Sequence, residues 1–217
     1  MTVSHIIEML DREYGRPEWQ PRGDPLSELI ATILSQNTSD TNSGRAFHNL
    51  TGKFASWERM ADAEVGEIAA AIESGGLSRV KAPRIKAVLD IVRQERGSLD
   101  LGFLSDMPLP QARAWLEALP GVGPKTAACV LLFSLGRPVL PVDTHVYRVS
   151  RRLGLIENGV TPAQAHGLLE ELLPTDAIYR FHMNMVTHGR RICRAQRPRC
   201  RECVLIEVCR YGQGAIR

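Results

Sequence analysis

The chain has 217 residues, 44% of them hydrophobic and 24% charged, with a formal net charge of +3. That length can bury a sizeable core in one large domain or two small ones, and the composition is that of an ordinary globular protein. No apolar run approaches the roughly 18–20 residues of a membrane span. Met1–Gly15 sets Glu8, Asp11, Arg12 and Glu13 among Ile6, Ile7, Met9 and Leu10, an amphipathic helix pattern and not a secretion signal, so a cytosolic protein is expected. The charge is uneven. Between Arg190 and Arg217, eight arginines face only Glu202 and Glu207, a tail of +6 on a remainder of −3. Such a segment suits a phosphate backbone or plain solvation equally.

Taken in order, the pattern is helical almost throughout. Asp24-Pro25 is a cap followed by proline at the first helical position. It opens Leu26–Leu34, where Leu26, Leu29, Ile30, Ile33 and Leu34 share a face. A polar break, Ser35-Gln-Asn-Thr-Ser39, precedes a helix over 40–54. Asp62 is the expected cap of a helix over 63–72, ended by Gly75-Gly76. Ser78 opens a longer helix to about Arg96 that buries Ile85, Val88, Leu89, Ile91 and Val92; Pro83 fits its first turn or kinks it. Further helices are predicted from Leu109, over 124–135, 144–153, 162–173 and 177–188. Residues 138–142 are extended but too short and proline-bounded to make a sheet. An all-α protein of about ten helices follows.

Two features carry chemistry. The first is Leu119-Pro-Gly-Val-Gly-Pro-Lys-Thr-Ala127, a glycine turn between helices with Lys125 in the first turn of the second. Backbone N–H groups at such a turn suit a phosphate. An amine there attacks carbon only when unprotonated, and the positive end of a helix favours that form. From Pro124 to Leu135 a helix advances about 18 Å, while an extended return from Gly136 to Asp143 covers about 23 Å at most. The spacing therefore permits Asp143 to come back beside Lys125. Asp143 is also placed to cap the helix at Thr144; as a carboxylate it could steady positive charge developing on a sugar.

The second feature is Cys193-x6-Cys200-x2-Cys203-x5-Cys209. Four clustered cysteines in a cytosolic chain point to metal ligation, not disulfides. With all four inside 17 positions and one close pair, the spacing suits a loop around a [4Fe–4S] cubane more than two separated zinc-binding pairs. Zinc stays open on spacing alone. The fifth, Cys129, lies in an apolar helix and reads as core.

The glycine turn with Lys125, Val142-Asp-Thr-His145 with Arg148, His188-Gly-Arg190 and the cysteine tail, in this order, closely resemble the endonuclease III family. These are bifunctional DNA glycosylase/AP lyases of the helix–hairpin–helix superfamily, and the resemblance runs from about Pro25 to Cys209. It implies a two-domain all-α fold: a six-helix barrel over 25–136, and a discontinuous iron–sulfur domain of 1–24 with 137–217, with the substrate groove between them. It implies Lys125 as the Schiff-base lysine and Asp143 as the catalytic aspartate. Gly121 and Gly123 would hold a DNA phosphate, and Cys193, Cys200, Cys203 and Cys209 would ligate a [4Fe–4S] cluster. Leu77 becomes the candidate wedge into the duplex, with Gln36 or Asn37 filling the place of the extruded base. His145, Arg148 and Arg190 become further candidate DNA contacts. The expected partner is duplex DNA carrying damaged bases or abasic sites, the expected state a nucleoid-associated monomer, and the expected substrates oxidised pyrimidines such as thymine glycol. Ser78, where a tyrosine is common after the wedge leucine, and the Gln36-Asn37 pair depart from the family pattern and touch base recognition, not the lysine chemistry. Two alternatives share much of this pattern: an adenine-removing mismatch glycosylase, which usually lacks the lysine, and a non-catalytic DNA-binding protein with a redox cluster.

Overall fold

The computed structural model describes residues 2–216, the last two of these by backbone alone. Among the described residues, twelve α-helices account for most of the chain and there is no strand. The chain divides into two compact units: Pro21–Arg137, and Met1–Gln20 together with Pro138–Arg217.

The Pro21–Arg137 unit is built on α2 (Pro25–Ser35). Its cap is the one expected: the Asp24 carboxylate accepts the Ser27 N–H at 2.9 Å. Leu26, Leu29, Ile30, Ile33 and Leu34 are all buried, giving the helix an apolar surface wide enough to pack against several neighbours. Those neighbours are α3 (Asp40–Lys53), α6 (Ser78–Arg96) and α8 (Pro124–Cys129). Between α3 and α6 lie α4 (Trp57–Asp62) and α5 (Val65–Ala71). Here the expected cap is wrong. Asp62 is the last residue of α4, and Glu64 caps α5 through a capping box in which Glu67 accepts the Glu64 N–H at 3.1 Å. Asp62 instead pairs with Arg93 at 2.6 Å, a partner 31 positions away. Pro83 is accommodated inside α6, which continues through it. After α7 (Leu109–Glu117), the helix expected over 124–135 is α8 followed by a π-helical turn over Val130–Ser134. That whole turn is buried.

In the other unit, α11 (Ile178–Arg191) packs against α1 (Val3–Tyr14) and α9 (Thr144–Leu153). The first helix is fastened by polar contacts as well as by Ile6, Ile7 and Leu10. Asn184 Nδ2 donates to Asp11 at 3.1 Å and to the Gly15 carbonyl at 3.0 Å, and Tyr14 Oη meets His188 Nδ1 at 2.9 Å. The extended segment 138–142 is held by side chains, since it has no sheet to join. His166 Nδ1, from α10 (Pro162–Leu172), meets the Leu140 carbonyl at 2.9 Å, and His182 Nδ1 meets that of Pro141 at 2.9 Å. Glu170 accepts the Leu140 N–H at 2.8 Å. These contacts fix the strip of chain that delivers Asp143 to the start of α9. A short last helix, α12 (Arg210–Ile216), packs against α9.

Candidate active site and cysteine centre

In the Pro21–Arg137 unit the glycine turn is formed as expected. The Val122 N–H reaches the Leu119 carbonyl at 3.1 Å, and Gly121 sits at φ 77°, the left-handed region that only glycine enters without strain. Gly123 is different. Its φ is −107°, and a Cβ there would meet no protein atom within 4 Å, so the protein itself has no need of glycine at 123. Lys125 is the second residue of α8 and half-buried. A carboxyl stands in its neighbourhood on α2. Burial pushes the Glu28 pKa up, against the pull of the Arg22 and Lys125 cations and a hydrogen bond from Thr32 Oγ1 at 3.3 Å.

Gln36 and Asn37 have separate fates. Gln36 Nε2 donates to the Gly121 carbonyl at 3.0 Å and lies 3.5 Å from Thr126 Oγ1, so its amide braces the turn from the end of α2. Asn37 is exposed in the left-handed region at φ 54°. Leu77, also at φ 54°, is 52% exposed and so is not a core residue at the entry of α6. A non-glycine residue in this region is uncommon and carries strain.

What keeps these two segments in place was not visible in the sequence. Lys81 is 1% exposed, and its ammonium donates to the Leu34 carbonyl at 2.7 Å and the Gly75 carbonyl at 3.1 Å. It thereby ties the end of α2, just before Asn37, to the turn just before Leu77. Burial pulls its pKa down, yet two carbonyls reward the charged form. Lys81→Met keeps the volume and orphans both carbonyls. A loss of about 1.5–3 kcal/mol is expected for hydrogen bonds to a charged donor, read as a lower urea midpoint with unchanged slope.

In the other unit, Asp143 caps α9: its Oδ1 accepts the His145 N–H at 2.9 Å and the Val146 N–H at 2.7 Å. Of the residues expected above to contact DNA, the guanidinium of Arg148 is engaged within the unit, as is Nδ1 of His145. Arg148 donates to the carbonyls of Cys193 at 3.0 Å, Gly189 at 2.9 Å and Thr144 at 3.2 Å, and meets His145 Nδ1 at 3.1 Å. Gly189 is explained by this packing, since a Cβ there would lie 2.9 Å from that of His145. Arg190 and Arg191 lie in the last turn of α11, and Arg190 is exposed.

One turn beyond Arg148, Arg152 was missed altogether in the sequence. It donates to the carbonyls of Arg194 at 2.7 Å and Ala195 at 3.0 Å, and to Cys193 Sγ at 3.3 Å. The signal was its i, i+4 spacing from Arg148 on α9.

Cys193, Cys200, Cys203 and Cys209 are free thiols around one small pocket, whose other walls include Val149, Leu153, Ile192 and Leu205. Among the described residues, no three His, Cys, Asp or Glu side chains converge as they would on one ion. Burial pushes the Cys203 thiol up to about 11, with Cys209, Cys193 and Cys200 adding to it, and raises Cys209 too. Such thiols need a metal's charge to ionise at neutral pH. The Gly212 N–H points at Cys209 Sγ at 3.3 Å, and His188 Nε2 lies 3.6 Å from Cys203 Sγ.

Residues 30–175 match the family model of the HhH-GPD superfamily of base excision DNA repair proteins. Endonuclease III of Thermotoga maritima is 36% identical, with 98% of each chain covered, and that of Escherichia coli is 32% identical, covering 87% of this chain and 85% of its own. The fold is similar to that of a trapped endonuclease III–DNA covalent intermediate, at a TM-score of 0.83 and 28% identity over 99% of this chain and 97% of the other. A thermostable thymine-DNA glycosylase gives a TM-score of 0.77 at 26% identity, over 98% of this chain and 95% of its own. The chain thus belongs to the HhH-GPD superfamily, in its endonuclease III family, and is a base excision repair DNA glycosylase/AP lyase.

Proposed function

We propose that Lys125 is the nucleophile of this enzyme and that its substrates are duplex DNA with oxidised pyrimidines, thymine glycol among them, and abasic sites. The observation that carries the proposal is the placing of Lys125 in the first turn of α8, directly behind a left-handed Gly121 and an open Gly123. The space at Gly123 leaves the backbone free for a phosphate to approach closely. The damaged nucleotide leaves the stack at a cost of a few kcal/mol, which damage lowers. The Lys125 amine bonds to C1′ while the base departs with the glycosidic electron pair and takes up a proton. The nitrogen then gives up one proton, the C1′–O4′ bond breaks and O4′ takes up a proton, so that the sugar ring opens to an iminium, which acidifies the 2′ hydrogen. Loss of that proton expels the 3′ phosphate and cuts the strand by β-elimination. Asp143 assists base departure and the proton traffic. That the similar endonuclease III structure is a covalent complex with DNA supports this chemistry.

Further parts of the proposal concern recognition. Leu77 is the wedge, Asn37 occupies the place of the extruded base with Gln36 bracing the turn behind it, and Arg190 reaches the backbone with His145 and Arg148 behind it. The Pro21–Arg137 unit is the helical barrel and the other the cluster domain, and the enzyme acts as a monomer.

The cysteine quartet fits a [4Fe–4S] cluster, with Cys193, Cys200, Cys203 and Cys209 as its ligands. Four soft thiolates spread around a cavity suit a cubane, in which each binds a different iron, better than one tetrahedral ion. When bound, the cluster supplies the cross-link that orders a segment with little apolar content of its own. Arg152 and the Gly212 N–H then offset its negative charge.

Anaerobically purified protein is expected to carry about four irons and to nick single-lesion duplexes with thymine glycol or an abasic site at the lesion, leaving undamaged duplex intact. Intact strands throughout would show a DNA-binding protein without lyase chemistry. Stoichiometric zinc would remove the cluster assignment.

A further inference from the structure

The turn at Gly121 has a neighbour that the foregoing chemistry does not use. Arg84, the seventh residue of α6, lies half-buried with its side chain laid across the glycine. A Cβ on Gly121 would stand 2.7 Å from Arg84 Cδ, 3.2 Å from Nε and 3.5 Å from Nη1. A larger residue at 121 would be strained by the φ of 77° and would have to push this arginine aside.

Two other arginines of α6 show what an occupied guanidinium looks like here. Arg93 is paired with Asp62 at 2.6 Å and Asp90 at 3.4 Å, and Arg96 sits 4.0 Å over the Phe103 ring. Among the described residues, no hydrogen bond, ion pair or ring contact engages Arg84. A half-buried guanidinium has given up part of its hydration, and its five donors favour an anion that offers two accepting oxygens, as a phosphodiester does. The turn it lies on is exposed at Gly121 and open at Gly123.

We propose that Arg84 is a phosphate ligand: laid across Gly121, its guanidinium joins the backbone N–H groups of the turn in gripping one phosphodiester of the DNA. This rests on the assignment of the Gly121–Gly123 turn to a DNA phosphate. It adds a side-chain cation to a site otherwise made of backbone, on the helix that directly follows Leu77. A phosphate contact reads no sequence, so Arg84 sets affinity and register for every substrate alike, not the choice of lesion.

The test uses full-length protein and a duplex with a non-hydrolysable abasic analogue, alongside the same duplex undamaged. Affinity is measured by fluorescence anisotropy across a salt series, for wild type, Arg84→Gln and Arg84→Lys. Loss of one phosphate contact reduces the slope of log K against log salt by about 0.9. Arg84→Gln is expected to show that reduction, with affinity about ten-fold lower for both duplexes. Arg84→Lys is expected to restore the slope, since it keeps the charge. An unchanged slope in Arg84→Gln overturns the proposal, whether or not affinity falls, because a residue that only shapes the turn releases no counterions. Failure of the turn assignment reads differently: Gly123→Val, for which the protein has room but a phosphate held at the turn would not, would then leave wild-type affinity for both duplexes.

Discussion

Lys125→Gln is expected to lower nicking of an abasic-site duplex by on the order of 10⁴-fold or more, because an amide nitrogen cannot form the iminium on which both steps depend. Glutamine is of similar length and keeps a polar end, and Lys125 is only half-buried in the first turn of α8. Stability should therefore move by no more than about 0.5 kcal/mol. DNA affinity should persist, reduced only by one lost charge and its share of the salt dependence. Three measurements on one preparation separate these effects: nicking rate, duplex affinity and thermal midpoint. A variant that nicks at the wild-type rate would remove Lys125 from the chemistry. One that melts early would mean that the side chain holds the turn instead.

The second large effect is expected at Asp143, where the structure permits an unusually clean separation. The carboxylate caps α9 through the N–H groups of His145 and Val146. Asparagine caps helices about as well as aspartate. Asp143→Asn should thus preserve the start of α9 while deleting the negative charge. Base release from a thymine glycol duplex is expected to fall about 10²–10⁴-fold, the usual range for one acid–base group, with a nearly unchanged thermal midpoint. Asp143→Ala should add a stability loss of about 1 kcal/mol, the typical cost of a lost cap. If Asp143→Asn kept full base-release activity, Asp143 would be a cap and nothing more.

How far the sequence could reveal the molecule depended on whether a residue's partner is local. Asp24 was legible as a cap because its acceptor and donor are three positions apart. The buried face of α2 was legible because five apolar residues recur at helical spacing. Asp62 misled because both it and Glu64 are chemically able to cap. Glu67, three positions after Glu64, decides between them, and Arg93 draws Asp62 elsewhere. Nothing local distinguishes an α-turn from the π-turn at Val130–Ser134, since every residue there is buried in either case.

The site divides in the same way. The turn and Lys125 are contiguous and could be read directly. Lys81 could not: its two acceptors lie 47 and 6 positions away, and a lone lysine on a helix is ordinarily solvated. Arg148 looked like a DNA contact, and Arg152 was not singled out at all. Their acceptors are carbonyls of the cysteine segment more than 40 positions later. His166 and His182, read only as parts of helices, hold the extended strip that carries Asp143.

The central claim is that Lys125 becomes covalently attached to the deoxyribose of its substrate. Borohydride reduction of the protein reacting with an abasic-site duplex, followed by digestion and mass mapping of the adduct, tests it most directly. The mechanism predicts one modified peptide, spanning the Gly121–Gly123 turn, with the sugar remnant on Lys125. An adduct mapped to any other residue, or no adduct from protein that nicks the duplex, would contradict it.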